Sequence, residues 1–171
     1  ITCPVPTRAV IGSATRAQAD WPMDFPAWTW HPASRLTYAD YTDEQLDRLR
    51  ETVRRELDRE VSEFDPQVIH CQHTGPMAHL ALETGVPYLV SAHATSLRVA
   101  CADARLRPLA EQAAENASAV IASSDHLAAE VREMLAEVDL RLEVVRPELS
   151  GDWFEPDEPL GPDKMPAGMG F

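Results

Sequence analysis

Two histidines, His73 and His93, lie in short polar segments directly after apolar stretches that are typical of buried β-strands. A histidine at a strand end can donate or accept a hydrogen bond to a substrate hydroxyl or phosphate. Gly75, together with Thr74, begins a predicted helix, and the free backbone N–H groups of a helix N-terminus favour an anion or a hydroxyl-rich ligand. The spacing therefore predicts a ligand site that both histidines share.

Strands that follow one another in an α/β chain are usually neighbours in the sheet, so both turns should open onto the same rim. Small hydroxyl residues surround His93, which favours a binding role for that turn. The candidate site residues are His93, His73, Thr74, Gly75, Thr95 and Ser96.

Three other histidines have simpler structural explanations. His70 alternates within a predicted strand, which indicates a hydrogen-bonded histidine of the core. His79 and His126 lie on predicted helices, where the same explanation applies.

The three cysteines, Cys3, Cys71 and Cys101, are widely spaced and form no CxxC pair, so they predict neither a disulfide framework nor a structural zinc site. Cys71 beside His70 and His73 has the ligand chemistry of zinc, but a buried strand in which the thiol packs as a small hydrophobe is the favoured interpretation. This cysteine usage predicts a reducing cytoplasm.

Composition and missing motifs exclude several function classes. The formal net charge of −13 argues against nucleic acid or an anionic membrane as a partner. The longest apolar runs, such as residues 86–90, fall far short of the roughly 20 residues of a membrane helix, which predicts a soluble protein. GxSxG, GxxxxGK[ST], HExxH and GxGxxG are all absent, so hydrolase, phosphate-loop, metalloprotease and dinucleotide sites have no support.

Alternating helices and strands must position the candidate residues. Thr42 and Gln45 form a capping box before a helix over 43–63, and Ser124 caps a later helix. The other predicted elements are strands at 67–71, 88–92, 119–122 and 142–145 and helices at 75–83, 102–116 and 125–137. This order predicts an α/β fold with a doubly wound parallel sheet covered on both faces.

The 171 residues divide into three segments. Residues 1–42 are irregular and rich in proline and tryptophan, and the aromatic stretch from Trp21 to Tyr41 should pack on the domain. Residues 43–146 form the α/β domain, and residues 147–171 are an acidic, proline-rich linker or tail. A chain that begins at Ile1 and ends in such a tail is interpreted as part of a longer protein.

Four segments in order resemble a known family. They read FDPQVIHCQH (64–73), GVPYLVSAH (85–93), AVIASS (119–124) and VVRP (144–147). Over about residues 43–157 the chain is similar to the N-terminal domain of retaining GT-B glycosyltransferases of family 4.

That resemblance implies a Rossmann-like domain, incomplete at its N-terminal strand, that moves a sugar with retention from a nucleotide-sugar donor to a small-molecule, glycan or lipid acceptor. It implies that His93 is the catalytic-cleft histidine and that the loop of His73, Thr74 and Gly75 forms the acceptor side. No metal or other cofactor is required, and residues 149–154 correspond to the hinge towards an absent C-terminal domain, so the isolated chain should be inactive.

Two alternatives remain open. The chain could be a non-catalytic binding module that uses the loop from Trp21 to Trp30 as its contact surface. A flavodoxin-like regulatory domain is a weaker match, because the expected acidic cluster and lysine at the strand ends are absent. None of the three segments carries net positive charge, so a nucleotide diphosphate would need cationic groups from elsewhere.

Overall fold

The protein, as a computed structural model, is described over residues 25–29 and 35–146. Trp21, Trp30 and the predicted hinge at 149–154 lie outside the described residues. The division into segments at residues 42 and 146 stays a prediction.

Four short parallel strands form one sheet in the order β1-β2-β3-β4, which confirms the Rossmann-like α/β class. The strands are β1 (Ile69–Cys71), β2 (Tyr88–Ser91), β3 (Ala119–Ala122) and β4 (Leu142–Val144). The helices are α1 (Asp43–Phe64), α2 (Pro76–Glu83), α3 (Ala94–Ala102), α4 (Arg107–Glu115) and α5 (Asp125–Met134). None of the described helices combines the length and apolar character needed to cross a bilayer.

One face of the sheet carries the core. In β2, Tyr88 and Val90 are buried on this face, whereas Leu89 and Ser91 point to the other face and are half-buried. In the described part of the chain, the hydrophobic clusters take their strand residues from the first face alone. The second face is thus the more accessible one here, and its exposed residues include His70.

The long helix α1 begins as its sequence predicts. The Gln45 backbone N–H donates to Thr42 Oγ1 at 3.2 Å, and the Thr42 backbone N–H donates to Gln45 Oε1 at 2.9 Å. The apolar stripe that includes Leu49 and Val53 then packs against Leu80 of α2. This packing fixes α2, and therefore the turn that precedes it.

The predicted helix over 102–116 is confirmed as α4, but its predicted start is wrong, because α4 begins at Arg107 and a separate helix, α3, precedes it with a break at 103–106. Leu97, Ala100 and Cys101 recur at helical spacing and are buried, so the segment gains more from a helix than from a strand-end turn. As a result, Thr95 and Ser96 lie in the first turn of α3 and not in an irregular loop.

Arg105 holds the break in place. Its guanidinium pairs with Asp103 at 2.6 Å and donates to the backbone carbonyls of Tyr41 at 2.6 Å and Tyr38 at 3.2 Å. Hydrogen bonding to Arg105 lowers the pKa of Asp103. The contact ties the α3–α4 connection to a 3-10 turn at Tyr38–Asp40 and so supports the aromatic residues beside the site.

Candidate functional site

The carboxyl ends of β1 and β2 bring the two predicted histidines together. The ring centroids of His73 and His93 are 4.6 Å apart, with an interplanar angle of 42°. His73 lies between β1 and α2, and His93 lies between β2 and α3. The rings therefore meet where the N-termini of two helices converge, at the edge where open α/β sheets bind their ligands.

His73 is half-buried, and its Nδ1 lies 3.3 Å from Ser96 Oγ. Burial lowers the pKa of His73, and the neighbouring His93 lowers it further, because two imidazolium rings at this distance repel each other. The positive ends of α2 and α3 act in the same direction. His73 is thus held neutral at physiological pH.

His93 is exposed and occupies the N-cap position of α3 in an extended conformation, with φ −129°. Its side chain makes no capping hydrogen bond. Its backbone carbonyl accepts hydrogen bonds from the Leu97 N–H and from Ser96 Oγ, both at 3.0 Å. The backbone is therefore fixed by α3 while the imidazole stays accessible to a ligand.

Gly75 is the N-cap of α2, and its φ of +143° is strained for any residue with a side chain. A Cβ at this position would lie 2.7 Å from Trp28 Cη2. The adjacent Thr74 is fully buried, and its Oγ1 has no hydrogen-bond partner within the described ranges. Glycine is thus required for close approach of the indole to this turn.

Trp28 is a site residue that the sequence motifs did not single out. Its indole stacks on Tyr38, with ring centroids 4.2 Å apart, and its centroid lies 5.9 Å from that of His73. The expectation that the aromatic segment packs on the domain holds for this residue. In the sequence, the aromatic segment indicates that Trp28 packs on the domain, but nothing in that segment indicates that Gly75 is the residue it contacts.

The other candidates divide between the core and the rim. Ser96 is fully buried beneath His73, whereas Thr95 is exposed in the first turn of α3. The structure thus brings His73 and Ser96 into direct contact and leaves Thr95 at the surface.

His70 and His79 have partners outside the site, whereas the predicted core position of His126 is wrong, because its side chain is exposed. The prediction of a core position for His70 is wrong, because its side chain is exposed on the second sheet face, although its Nε2 is hydrogen-bonded to Ser91 Oγ at 2.8 Å. His79 links helices through Gln112 at 3.1 Å and Arg50 at 3.2 Å, which is a structural role. His126 is exposed on α5.

The site carries little positive charge. Arg98, on α3, pairs with Glu130, and Arg105 pairs with Asp103. Residues 25–29 and 35–146 hold no group of three or more His, Cys, Asp or Glu side chains arranged for a metal ion. Cys71 packs against the core, and burial raises the pKa of its thiol to about 12, so the protonated thiol is inert. The chemistry available at the site is therefore hydrogen bonding.

A protein-family model described as a glycosyl transferase 4-like domain matches residues 5–148. No curated protein matches the chain. The matched range contains every candidate residue of the β1–β2 edge.

Proposed function

Because the chain belongs to the glycosyl transferase 4-like family, we propose that it is the acceptor-side domain of a retaining glycosyltransferase with a nucleotide-sugar donor. Membership of this family supports sugar transfer in general, and this activity implies a sugar and an acceptor as binding partners. The usual partner is a second, C-terminal domain, and we propose that without it this chain binds ligand but does not turn it over.

The observation that carries the proposal is the meeting of His73 and His93 at 4.6 Å between two helix N-termini. The neutral imidazole of His73, the accessible ring of His93 and the backbone N–H groups suit hydroxyl groups, which both donate and accept hydrogen bonds. His93, which is exposed, would position the reacting sugar or acceptor hydroxyl, and such orientation is a main source of rate enhancement in group transfer.

The donor diphosphate needs cationic groups, and we propose that they belong to the second domain. Support comes from Arg98 and Arg105, whose charges are already paired with carboxylates. The proposed mechanism requires no metal and no other cofactor. Free thiols at Cys71 and Cys101 support a reducing cytoplasm as the compartment.

A purely structural binding module is the alternative, with the tryptophan loop as its contact surface. The packing of Trp28 on Gly75 and Tyr38 favours the glycosyltransferase, because this indole lies beside His73 at the candidate site. A ligand at the β1–β2 edge would lie beside it.

The test is saturation-transfer NMR of the full chain with methyl α-glucoside, methyl α-mannoside, N-acetylglucosamine and myo-inositol as probes. We expect at least one probe to receive saturation from the protein and to lose most of it in His93→Ala. His126→Ala, which removes an exposed histidine from α5, is the matched control and should bind like the parent.

Saturation that survives His93→Ala, or the absence of binding by all four probes, would contradict the proposed site. Incubation with UDP-, GDP- and ADP-glucose should release no nucleotide from this chain. Rapid release would contradict the requirement for a second domain.

A further inference from the structure

The hydrogen bonds around Ser96 determine where the proton of His73 lies. Ser96 Oγ is 3.0 Å from the His93 carbonyl oxygen and 3.3 Å from His73 Nδ1. A carbonyl oxygen only accepts, so the single hydroxyl hydrogen of Ser96 must point to it. If that hydrogen pointed to His73 instead, two oxygen lone pairs would face each other at 3.0 Å.

Because its single hydrogen points to the His93 carbonyl, Ser96 Oγ can only accept a hydrogen bond from His73. Nδ1 of His73 must then carry a proton, and in the neutral ring Nε2 carries the lone pair. Nε2 makes no hydrogen bond to any other residue in the described part of the chain. Ser96 is fully buried, so water does not compete for the hydroxyl.

We infer that Ser96 holds His73 in the Nδ1–H tautomer, so that the Nε2 lone pair accepts a hydrogen bond from a hydroxyl group of the bound sugar or acceptor. The inference deepens the proposed function and rests on it. It assigns His73 as a hydrogen-bond acceptor for the ligand, Ser96 as a positioning residue that acts through it, and His93 as the neighbouring ligand-binding ring. The assignment rests on the positions of these atoms, because helix α3 fixes both Ser96 and the backbone carbonyl of His93.

Long-range hydrogen–nitrogen correlation spectra of the full chain with isotope-labelled histidine test the tautomer directly. At about pH 8, where a histidine is neutral, His73 should show a pyrrole-like shift at Nδ1 and a pyridine-like shift at Nε2. On acidification the proton should add at Nε2, and His73→Asn identifies the signal. Ser96→Ala should move the ring towards the Nε2–H tautomer, whereas Ser123→Ala, which removes an exposed hydroxyl after β3, should leave it unchanged.

A native ring protonated at Nε2 would overturn the inference, as would an unchanged tautomer in folded Ser96→Ala. If Ser96→Ala does not fold, the spectrum of the unmodified chain decides. Bound glycosides should shift the Nε2 signal, and binding that leaves it unmoved would refute the hydrogen-bond-acceptor role of Nε2. Failure of all glycosides to bind refutes the proposed function instead, since the tautomer is measured without ligand.

Discussion

The carboxyl ends of β1 and β2 differ from the carboxyl end of β3 in how their polar groups are used. After β3, Ser124 Oγ accepts from the Leu127 N–H at 3.2 Å and caps α5, and Asp125 pairs with Arg146 at 2.5 Å. After β1 and β2, helices α2 and α3 begin at Gly75 and His93 without any side-chain cap. The fold satisfies one strand end with its own side chains and leaves the other two able to receive a ligand.

This difference shows that polar residues after a strand are not sufficient evidence of a site. Ser124 fits the same sequence position as the candidate residues, and its capping bond, which the sequence predicts, explains it fully. The histidine pair has no such explanation, because the His93 ring caps nothing. Removal of the His93 side chain and removal of the Ser124 side chain should therefore have opposite effects on stability and on ligand binding.

The largest expected effect on stability is that of Gly75→Ala at the β1 end. The new Cβ would lie 2.7 Å from Trp28 Cη2 at a φ of +143°, so backbone strain and displacement of the indole add up. We expect a loss of about 3 kcal/mol in the free energy of unfolding, measured by urea denaturation. Weaker glycoside binding should accompany it, because Trp28 packs beside His73.

Gly85→Ala is the matched control, since Gly85 also has a positive φ, of +73°, but nothing lies within 4 Å of a Cβ there. It should cost only about 1 kcal/mol, the strain of the left-handed conformation. Equal losses in the two variants would show that contact with Trp28 contributes nothing.

Ser124→Ala comes next and tests the closed strand end. Loss of the bond to the Leu127 N–H should lower the free energy of unfolding by about 1 kcal/mol. His93→Ala removes an exposed side chain that caps nothing and should change stability by less than about 0.5 kcal/mol. Glycoside binding should show the reverse order, with a large loss in His93→Ala and little change in Ser124→Ala. A His93→Ala chain that is destabilised and still binds glycosides would contradict the proposed difference between the strand ends.

Sequence patterns predicted local structure well where one signal dominates. The capping box of Thr42 with Gln45, the cap at Ser124 and the convergence of His73 with His93 all follow from spacing and strand order. Helix α3 was missed because its hydroxyl residues at the N-terminus are typical of a turn, and its helical spacing begins only at Leu97.

Contacts between distant residues could not be predicted in the same way. The approach of Trp28 to Gly75 joins residues far apart in sequence, and packing rather than pattern determines it. The bond between His73 and Ser96 depends on α3 as a helix, since a loop would not have placed Ser96 beneath the ring. The sequence thus predicts the pair of histidines, whereas the position of the proton on the His73 ring can be inferred only from the structure.

The smallest expected effect is a pH dependence of stability that originates at His73. Its pKa in the folded chain is lowered by burial and by His93, whereas the unfolded pKa is about 6.5. Between the two values the unfolded chain binds more protons, so acid favours unfolding. The contribution of His73 to stability is therefore fully present above about pH 6.5 and is lost as the pH falls through the folded pKa.

Urea denaturation from about pH 8 to about pH 5 should show this loss in the unmodified chain and a smaller one in His73→Asn, which keeps an N–H donor towards Ser96 but does not titrate. His126→Ala should follow the unmodified chain, because that residue is exposed at the other strand end. Parallel curves for the parent and His73→Asn would mean that folding does not change the pKa of His73. The carboxyl ends of β1 and β2 would then differ from that of β3 only in helix capping, and burial of His73 would make no contribution to the pH dependence of the free energy of unfolding.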